Sequence, residues 1–231
     1  MKDIEDLVAG FRRFRTTYFD ERPDLFERLT RVGQSPRVMV VACCDSRVDP
    51  AIITDSDPGD LFVVRNVANL VPPWEESGHY HGTSAALEFA VRCLSVRHVI
   101  VLGHAQCGGI RALLGDIRWE GEAGRFVEPW MSIAEEARRE AIAAHPAVPR
   151  ETLMRECELG AIRVSLRNLA SFDFVRRAVE AGRLKLHGWY FDLQQGELLR
   201  YDGATGAFTL LAGPGGVQTS APSAASPNEA R

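Results

Sequence analysis

The sequence lacks the features that suit a protein to an anionic polymer or to a membrane. Lysine and arginine together number 27 against 31 aspartates and glutamates, which gives a formal net charge of -4. Without a basic surplus, nucleic acid and anionic membrane surfaces are not expected partners. No stretch approaches the roughly 20 apolar residues that span a bilayer, and the charged first residues lack the apolar core of a signal peptide. We therefore expect a cytoplasmic protein with no nucleic acid and no membrane among its partners.

Cysteine is also scarce, and the five that are present are an odd number. In a chain of 231 residues this argues against a secreted disulfide framework and for a reducing compartment. The length and the hydrophobic fraction of 45% suffice to bury a sizeable core. We therefore expect one α/β domain.

The chain divides into three parts by its patterns. Residues 1–32 place apolar residues at helical spacing and predict a helical arm. This arm either covers the domain's own sheet or reaches across to a second subunit. Residues 33–212 carry the strand and helix patterns of the α/β domain. Residues 213–231 are rich in Gly, Pro, Ser and Ala and predict a disordered tail.

Short apolar runs predict the strands of the sheet. Residues 37–42, which are apolar after Arg37, and residues 99–102 form short apolar runs, which are typical of central strands in a parallel sheet. A third strand is expected over 61–65. The alternating segments 185–192 and 197–201 predict a hairpin at the sheet edge, antiparallel to the rest. The predicted fold class is α/β, a single domain with a mainly parallel central sheet flanked by helices and an antiparallel C-terminal edge hairpin.

Helices are predicted between and after these strands. Asp49 followed by Pro50 indicates an N-cap and the first position of a short helix. Ser171 is expected to cap the helix over 172–181, and Gly182 to end it. Longer helices are expected over 83–94, 126–144 and 151–169.

The ends of the two central strands carry metal-ligating residues. The strand over 99–102 leads to His104 and Cys107, and the strand over 37–42 leads to Cys43. If these strands are parallel neighbours, their carboxyl ends lie at one edge of the sheet, where ligand sites form. Two thiolates and an imidazole are a soft, tetrahedral donor set that favours zinc. Three protein ligands leave the fourth position open for water, as in a catalytic site.

Other assignments of these residues stay open. Core cysteines and a satisfied histidine are the alternative to a metal site, and Cys44 competes with Cys43 as the ligand. Adjacent residues at a strand end point in opposite directions, so only one of the two thiols can face the ion. Two thiolates cancel the formal charge of Zn2+, so its water should be less acidic than in an all-imidazole site, where the pKa is about 7. We expect activity that rises into the alkaline range.

Asp45 and Arg47 form a second pattern, close to the expected ligand Cys43. Because they are two residues apart, both side chains can lie on the same side of an extended loop. A carboxylate next to a dication could fill the open coordination position, and an arginine fork offers it a competing bidentate partner. With Arg47 holding it, Asp45 can accept a hydrogen bond from zinc-bound hydroxide and orient that nucleophile. A surface ion pair is the alternative.

Three segments together resemble the β-class carbonic anhydrases: Cys43-x-Asp45-Ser46-Arg47, residues 58–69 and Gly103-His104-x-x-Cys107-Gly108-Gly109. The resemblance implies one zinc per chain held by Cys43, His104 and Cys107, with Asp45 and Arg47 as a catalytic dyad. It implies reversible hydration of CO2 to bicarbonate and a proton, by attack of zinc-bound hydroxide on CO2. It also implies a homodimer or higher even oligomer. In such an assembly the neighbouring subunit builds part of the active-site wall, and the N-terminal helices pack around that neighbour.

The resemblance extends to the substrate pocket. It implies that Gln34 hydrogen-bonds the substrate oxygen and that Phe62 and Val67 line a small apolar pocket for CO2. The amide of Gly108 is expected to meet a bound anion. Phe89 stands where the plant-type branch of the class has a tyrosine, so the hydrogen bond of that hydroxyl is lost.

Within the class, residues 33–36 and 71–73 resemble the plant-type branch. Val40 stands where the other branch has a tryptophan that belongs to a non-catalytic bicarbonate site, at which bicarbonate switches the enzyme off. The absence of this tryptophan argues against such regulation here. His79 and His81, on a loop, are candidates for shuttling the proton that the reaction releases. The alternative is that both are simply solvent-exposed.

Three other functions stay open at this point. A hydrolase of carbon disulfide or carbonyl sulfide would reuse the same fold and metal set. A non-catalytic bicarbonate-sensing module is the second, and the dyad and Gln34 argue against it. The third is a zinc–thiolate redox switch built on Cys43, Cys44 and Cys107.

Overall fold

The computed structural model describes residues 2–76, 81–117, 120 and 124–214. They form a six-stranded sheet in the order β2-β1-β3-β4-β5-β6. The strands are Val38–Cys43 (β1), Leu61–Asn66 (β2), His98–His104 (β3), Lys185–Asp192 (β4), Glu197–Tyr201 (β5) and Phe208–Ala212 (β6). The first four strands are parallel, and β5 and β6 join them in antiparallel pairs. The predicted fold class is confirmed.

Helices flank the sheet and connect its parallel strands. The α-helices of the described residues are Ile4–Arg15 (α1), Pro23–Val32 (α2), Pro50–Ile53 (α3), Gly82–Glu88 (α4), Gly108–Leu113 (α5), Val127–Met131 (α6), Glu135–Ala144 (α7), Arg150–Ser171 (α8) and Asp173–Glu180 (α9). π-Helical turns extend α1 through Thr16–Glu21 and α4 through Phe89–Cys93, and 3-10 turns occupy Val67–Asn69 and Ser132–Ala134. None of the helices described here combines the length and the apolar composition needed to cross a bilayer.

The central strands are buried on both faces, as their continuous apolar runs predict. On one face, Val41 of β1 and Val101 of β3 belong to a core shared with Ile162 of α8. On the other face, Val40 and Ile100 pack with partly buried side chains of the neighbouring strands. This burial fixes the strand ends that carry the site.

The N-terminal arm has an exposed apolar surface. No residue of α1 is buried against the described part of the chain, and Ile4 and Phe11 are 70% and 62% exposed. The segment that follows is tied to the domain, because the side chains of Tyr18 and Arg22 both hydrogen-bond Asp57. In a single chain, therefore, α1 does not cover the sheet with its apolar residues, which was one of the two alternatives for the arm.

Two strand predictions need correction. β4 runs parallel to β3 rather than antiparallel to it, because the helices between them return the chain to the same end of the sheet. β6 was not predicted; it pairs with β5 and takes the sheet edge from the predicted hairpin. An alternating pattern indicates which side chains share a face, but it does not give the direction of the strand.

The predicted cap of α9 is wrong. Ser171 is the last residue of α8, and its hydroxyl donates to the carbonyl of Asn168 and accepts the amide of Trp74. Phe172 therefore takes the N-cap position without a capping side chain.

Other boundaries follow the predictions with changes. Asp49 caps α3 as expected, and the helix over 83–94 forms with a π-helical second half. The single helix expected over 126–144 is broken by a 3-10 turn, where the hydroxyl of Ser132 donates to the carbonyl of Pro129. The predicted tail lies outside the described residues from residue 215 onward.

Candidate metal centre

The two central strands bring the predicted ligands together. β1 and β3 are parallel neighbours, with Ala42 opposite Leu102, so their last residues, Cys43 and His104, lie at the same edge of the sheet. Cys107 occupies the N-cap position of α5. The Sγ atoms of Cys43 and Cys107 are 3.9 Å apart, and the ligand atoms of the three residues lie within 4.8 Å of one another.

His104 presents a nitrogen that nothing in the described chain satisfies. Its Nδ1 lies 2.8 Å from the carbonyl oxygen of Ala105, and since a carbonyl only accepts, we assign the hydrogen to Nδ1 and a free lone pair to Nε2. Nε2 is buried and has no hydrogen-bond partner among the described residues. Such an atom is costly to bury alone, whereas a metal ion beside both thiols would satisfy it. The residues present therefore fit zinc.

The two thiols influence each other's protonation. The pKa of Cys43 is lowered, mainly because the thiol of Cys107 donates a hydrogen bond to its sulfur, against the opposing effect of burial. The pKa of Cys107 is raised by the same hydrogen bond and by burial. Since metal ions bind thiolates, a cation between the two sulfurs would release the remaining proton.

The local backbone turns the correct side chains toward the site. At the end of β1 successive residues point in opposite directions, so that Cys43 is buried and Cys44 is exposed. Between His104 and Cys107 the chain passes through Gln106, whose φ of 57° is left-handed and uncommon outside glycine. This reversal allows His104 and Cys107 to face the same point.

Asp45 and Arg47 form the bidentate pair that their spacing predicts. Arg47 donates to Oδ1 of Asp45 from its backbone amide at 3.0 Å and from Nε at 2.9 Å, and to Oδ2 from Nη2 at 2.7 Å. These hydrogen bonds hold the pKa of Asp45 well below its usual range. Nη2 also donates to the carbonyl of Gln106 at 3.2 Å, which connects the dyad to the loop of the other two ligands.

Arg65 fixes the loop that carries the dyad. Its guanidinium donates to the carbonyls of Cys43 and Asp45 at 2.9 Å and 2.7 Å, and to the carboxylate of Asp49 at 2.8 Å. Sequence reasoning gave this residue no role at the metal centre, although a charged side chain within the apolar run of β2 was visible.

Glu158 is a second residue that sequence reasoning missed. It lies on α8, is buried, and accepts the backbone amide of Cys107. A glutamate inside a helix is usually exposed, so only its position among apolar neighbours could have drawn attention to it.

Val67 and Gly108 lie beside the ligand loops. Val67 follows β2 and lines, with Cys44 and His81, a cavity of about 710 Å3. Gly108 is the first residue of α5, and a Cβ built there would meet nothing within 4 Å in the described chain. His79 lies outside the described residues.

Gln34, Phe62 and Phe89 are not brought to the ligands within one chain. Phe62 pairs with Met39, four residues before Cys43 on β1, and at about 3.3 Å per residue it is displaced by about 13 Å along the sheet. The ring of Phe89 stacks on that of Phe62, with centroids 5.9 Å apart. Gln34 precedes β1 and is exposed. These three residues therefore lie toward the amino ends of the strands.

Fold and site together define a class of protein. It is an α/β protein in which two parallel strands of a mixed sheet lead to a Cys-His-Cys group that fits zinc, and a carboxylate paired with a guanidinium lies beside that group. A set of three protein ligands is the arrangement found in catalytic zinc sites.

Comparisons with known proteins identify the family. The carbonic anhydrase family model matches residues 38–198. A carbonic anhydrase from Synechocystis sp. is 36% identical over 200 residues, which cover 87% of this chain and 72% of that protein. The β-carbonic anhydrase CcaA has a structure with a TM-score of 0.83 at 35% identity, covering 91% of this chain and 93% of the other. The tetrameric β-carbonic anhydrases of Sordaria macrospora give a TM-score of 0.73 at 26% identity, covering 89% and 98%.

The chain belongs to the carbonic anhydrase family, in its β class. Zinc is the cofactor of this class, and the group formed by Cys43, His104 and Cys107 could bind it.

Proposed function

We propose that this protein catalyses the reversible hydration of CO2 to bicarbonate and a proton, with one zinc ion per chain bound by Cys43, His104 and Cys107. The observation that carries this proposal is that the ligand atoms of these three residues lie within 4.8 Å of one another, while the buried Nε2 of His104 has no hydrogen-bond partner among the described residues. Bound zinc supplies Lewis acidity, which lowers the pKa of a water molecule and so provides a nucleophile for CO2.

Asp45 and Arg47 are proposed as the catalytic dyad. A carboxylate has about four lone-pair sites, and Arg47 occupies three of them on Asp45. The remaining site, on Oδ2, is left to accept a hydrogen bond from the attacking water and to orient it. The same three hydrogen bonds restrain Asp45 from filling the open coordination position.

The substrate pocket is proposed to combine two subunits. Val67 and Gly108 lie beside the ligands of their own chain. Gln34, Phe62 and Phe89 lie too far along the sheet to reach those ligands, so we assign them to the site of a neighbouring copy. The exposed apolar residues of α1 and the tetrameric relatives from Sordaria macrospora support a homodimer or a higher even oligomer.

The organisation of the chain completes the proposal. Residues 1–32 are assigned as an arm that packs on the neighbouring subunit, and 33–212 as the zinc-binding catalytic domain. Residues 33–36 and Val40 favour the plant-type branch of the class. The composition favours a location in the cytoplasm.

Stopped-flow CO2 hydration, with zinc content measured on the same samples, tests this function. Wild type is expected to hold about one zinc per chain and to be active. Cys107→Ser is expected to lose zinc and activity, and Asp45→Asn to keep zinc but lose most of the activity. Wild type with one zinc per chain and no hydration of CO2 would contradict the proposal. Rates on carbon disulfide and carbonyl sulfide, measured alongside, separate it from the hydrolase alternative.

A further inference from the structure

A buried carboxylate lies directly behind the metal centre, and the proposed reaction does not use it. Glu158, on α8, is 4% exposed, and Tyr190, on β4, is 1% exposed. Oε1 of Glu158 accepts the backbone amide of Cys107 at 2.9 Å, and Oε2 accepts the hydroxyl of Tyr190 at 2.8 Å. Each oxygen of the carboxylate is therefore engaged by a hydrogen-bond donor from a different element.

Burial of the Glu158 carboxylate costs desolvation free energy. A carboxylate is rarely so buried unless it is paired or fully hydrogen-bonded. Glu158 lines a cavity with Met154, Arg155 and Tyr190, and an apolar side chain would fill the same space without the desolvation of a charge. A satisfied polar network of this kind specifies one arrangement of the elements that meet on it, and here those elements are α5, α8 and β4.

The amide that donates to Glu158 belongs to Cys107, a proposed zinc ligand that lies between the end of β3 and the start of α5. β3 ends at His104, and α5 begins after Cys107. Between them, Gln106 has a φ of 57°, which the surrounding structure must hold in place. Because the first amides of a helix have no partner within it, the N-cap residue Cys107 depends on an outside acceptor. The carboxylate of Glu158 restrains this peptide, and with it the direction in which Sγ points.

We propose that Glu158 and Tyr190 are positioning residues for zinc binding. The hydroxyl of Tyr190 orients the carboxylate of Glu158, and the carboxylate holds Cys107 with its sulfur toward His104 and Cys43. The inference rests on the proposed role of Cys107 as a zinc ligand. Residues that act on a metal through one of its ligands typically change metal affinity by about 10–100-fold.

The test compares zinc-loaded wild type with Glu158→Gln, Glu158→Leu and Tyr190→Phe. Glutamine keeps an oxygen for the amide of Cys107 but loses the charge, leucine removes the acceptor, and phenylalanine removes only the hydroxyl. The rate of zinc loss to a chromogenic chelator is expected to rise about 10-fold or more in Glu158→Leu, and less in the other two. In Co2+-substituted protein, the thiolate-to-cobalt absorption band is expected to weaken or shift in Glu158→Leu and to stay near wild type in Glu158→Gln.

Asp192→Asn is the matched control. Asp192 is also a buried carboxylate, 3% exposed, but it accepts two amides of the β4–β5 turn and the guanidinium of Arg155 rather than the amide of Cys107. This variant is expected to unfold at a lower temperature yet to release zinc at the wild-type rate. The inference is overturned if Asp192→Asn releases zinc as fast as Glu158→Gln. It is also overturned if Glu158→Leu releases zinc like wild type or, should that variant not fold, if both Glu158→Gln and Tyr190→Phe do so.

Cys107→Ser, measured in parallel, separates this inference from the function on which it rests. Loss of zinc in Cys107→Ser, with wild-type retention in every Glu158 and Tyr190 variant, overturns the inference alone. Wild-type retention of zinc in Cys107→Ser overturns the proposed ligand set itself.

Discussion

Arg47 restrains Asp45 through three hydrogen bonds, two from its guanidinium and one from its backbone amide. Arg65 restrains the same loop through the carbonyls of Cys43 and Asp45. Only a planar guanidinium can occupy two carboxylate oxygens in this way, because a lysine ammonium offers a single point charge. The residue type at position 47 therefore affects the chemistry separately from zinc binding.

Replacing Arg47 with lysine is expected to lower kcat/KM for CO2 hydration about 100-fold, the lower end of the range for a positioned acid or base. Zinc content should stay near that of wild type, because Arg47 contributes no ligand. Lysine keeps the positive charge but cannot donate to both carboxylate oxygens at once, so Asp45 is no longer held in one orientation. Stopped-flow assays of protein with measured zinc content check both quantities.

Arg176→Lys provides the control for that substitution. Arg176, on α9, pairs with Asp173 and Glu180 at the surface, and its replacement is expected to leave activity unchanged. Wild-type activity in zinc-loaded Arg47→Lys would contradict the proposed dyad.

The lowered pKa of Asp45 leads to a prediction about how the effect of Asp45→Asn depends on pH. Because hydrogen bonds from Arg47 lower this pKa, Asp45 is ionised at and above the ordinary value near 3.9. The stability that the ionised form contributes is present above that value and is lost only as the pH falls below it. Asp45→Asn is therefore expected to reduce the hydration rate by the same factor at every pH from 6 to 9.

The same pH series tests the argument about the two thiolates. The wild-type rate is expected to rise toward alkaline pH, since thiolate ligands leave the bound water less acidic. A flat wild-type profile from pH 6 to 9 would contradict that argument. A ratio of wild-type to Asp45→Asn rates that varies over this range would show that Asp45 titrates within it.

At the scale of strands and helices, the sequence allows part of the fold to be predicted. The apolar runs of β1 and β3 were recognisable because a strand buried on both faces needs apolar residues at every position. Their shared edge followed from the rule for parallel strands, and the ligand atoms of Cys43, His104 and Cys107 meet there. The direction of β4 could not be predicted, since the helices that precede it determine that direction.

Glu158 shows why the rest of the site could not be predicted. A single glutamate in a helix is ordinarily solvent-exposed, and only the packing of α8 on the sheet brings this one to the amide of Cys107. Such a contact depends on three elements that are distant in sequence. No local pattern of residues indicates it.

Replacement of Gly109, on α5, tests how closely the elements of the site pack. A Cβ at this position would lie 2.8 Å from Cγ1 of Val67 and 2.9 Å from Cβ of Ala68, and Ala68 cannot move away without its backbone. Gly109→Ala is expected to lower the free energy of unfolding by about 1–3 kcal/mol, as overpacking does. Urea denaturation measures the change.

Gly82→Ala is the comparison for that variant. Gly82 begins α4, and a Cβ there would meet nothing within 4 Å among the described residues. Its replacement is expected to change the free energy of unfolding by less than about 0.5 kcal/mol. Equal stability of Gly109→Ala and Gly82→Ala would show that the loop of Val67 adjusts more freely than this packing implies.

At the scale of the whole molecule, the proposed site residues fall into two groups that one chain keeps apart. The ligands lie at the carboxyl edge of the sheet, and Phe62 lies about 13 Å away along the strands. The exposed apolar residues of α1 form a surface of the kind that a partner covers. In a twofold dimer each subunit offers the same surfaces to the other. Gln34, Phe62 and Phe89 of one chain can then complete the metal centre of its neighbour.

Sharing of this kind predicts that two impaired variants restore activity when their subunits are combined. Cys107→Ser lacks a zinc ligand but keeps Gln34, whereas Gln34→Ala keeps the ligands but lacks the proposed substrate donor. In a mixed dimer, one of the two sites has both. Random pairing of equal amounts makes half of the dimers mixed, each with one complete site, so about one quarter of wild-type CO2 hydration is expected. Co-expressed variants are compared with each variant alone. If each chain builds its own site, the mixture shows only the mean of the two variants, and the shared site is wrong.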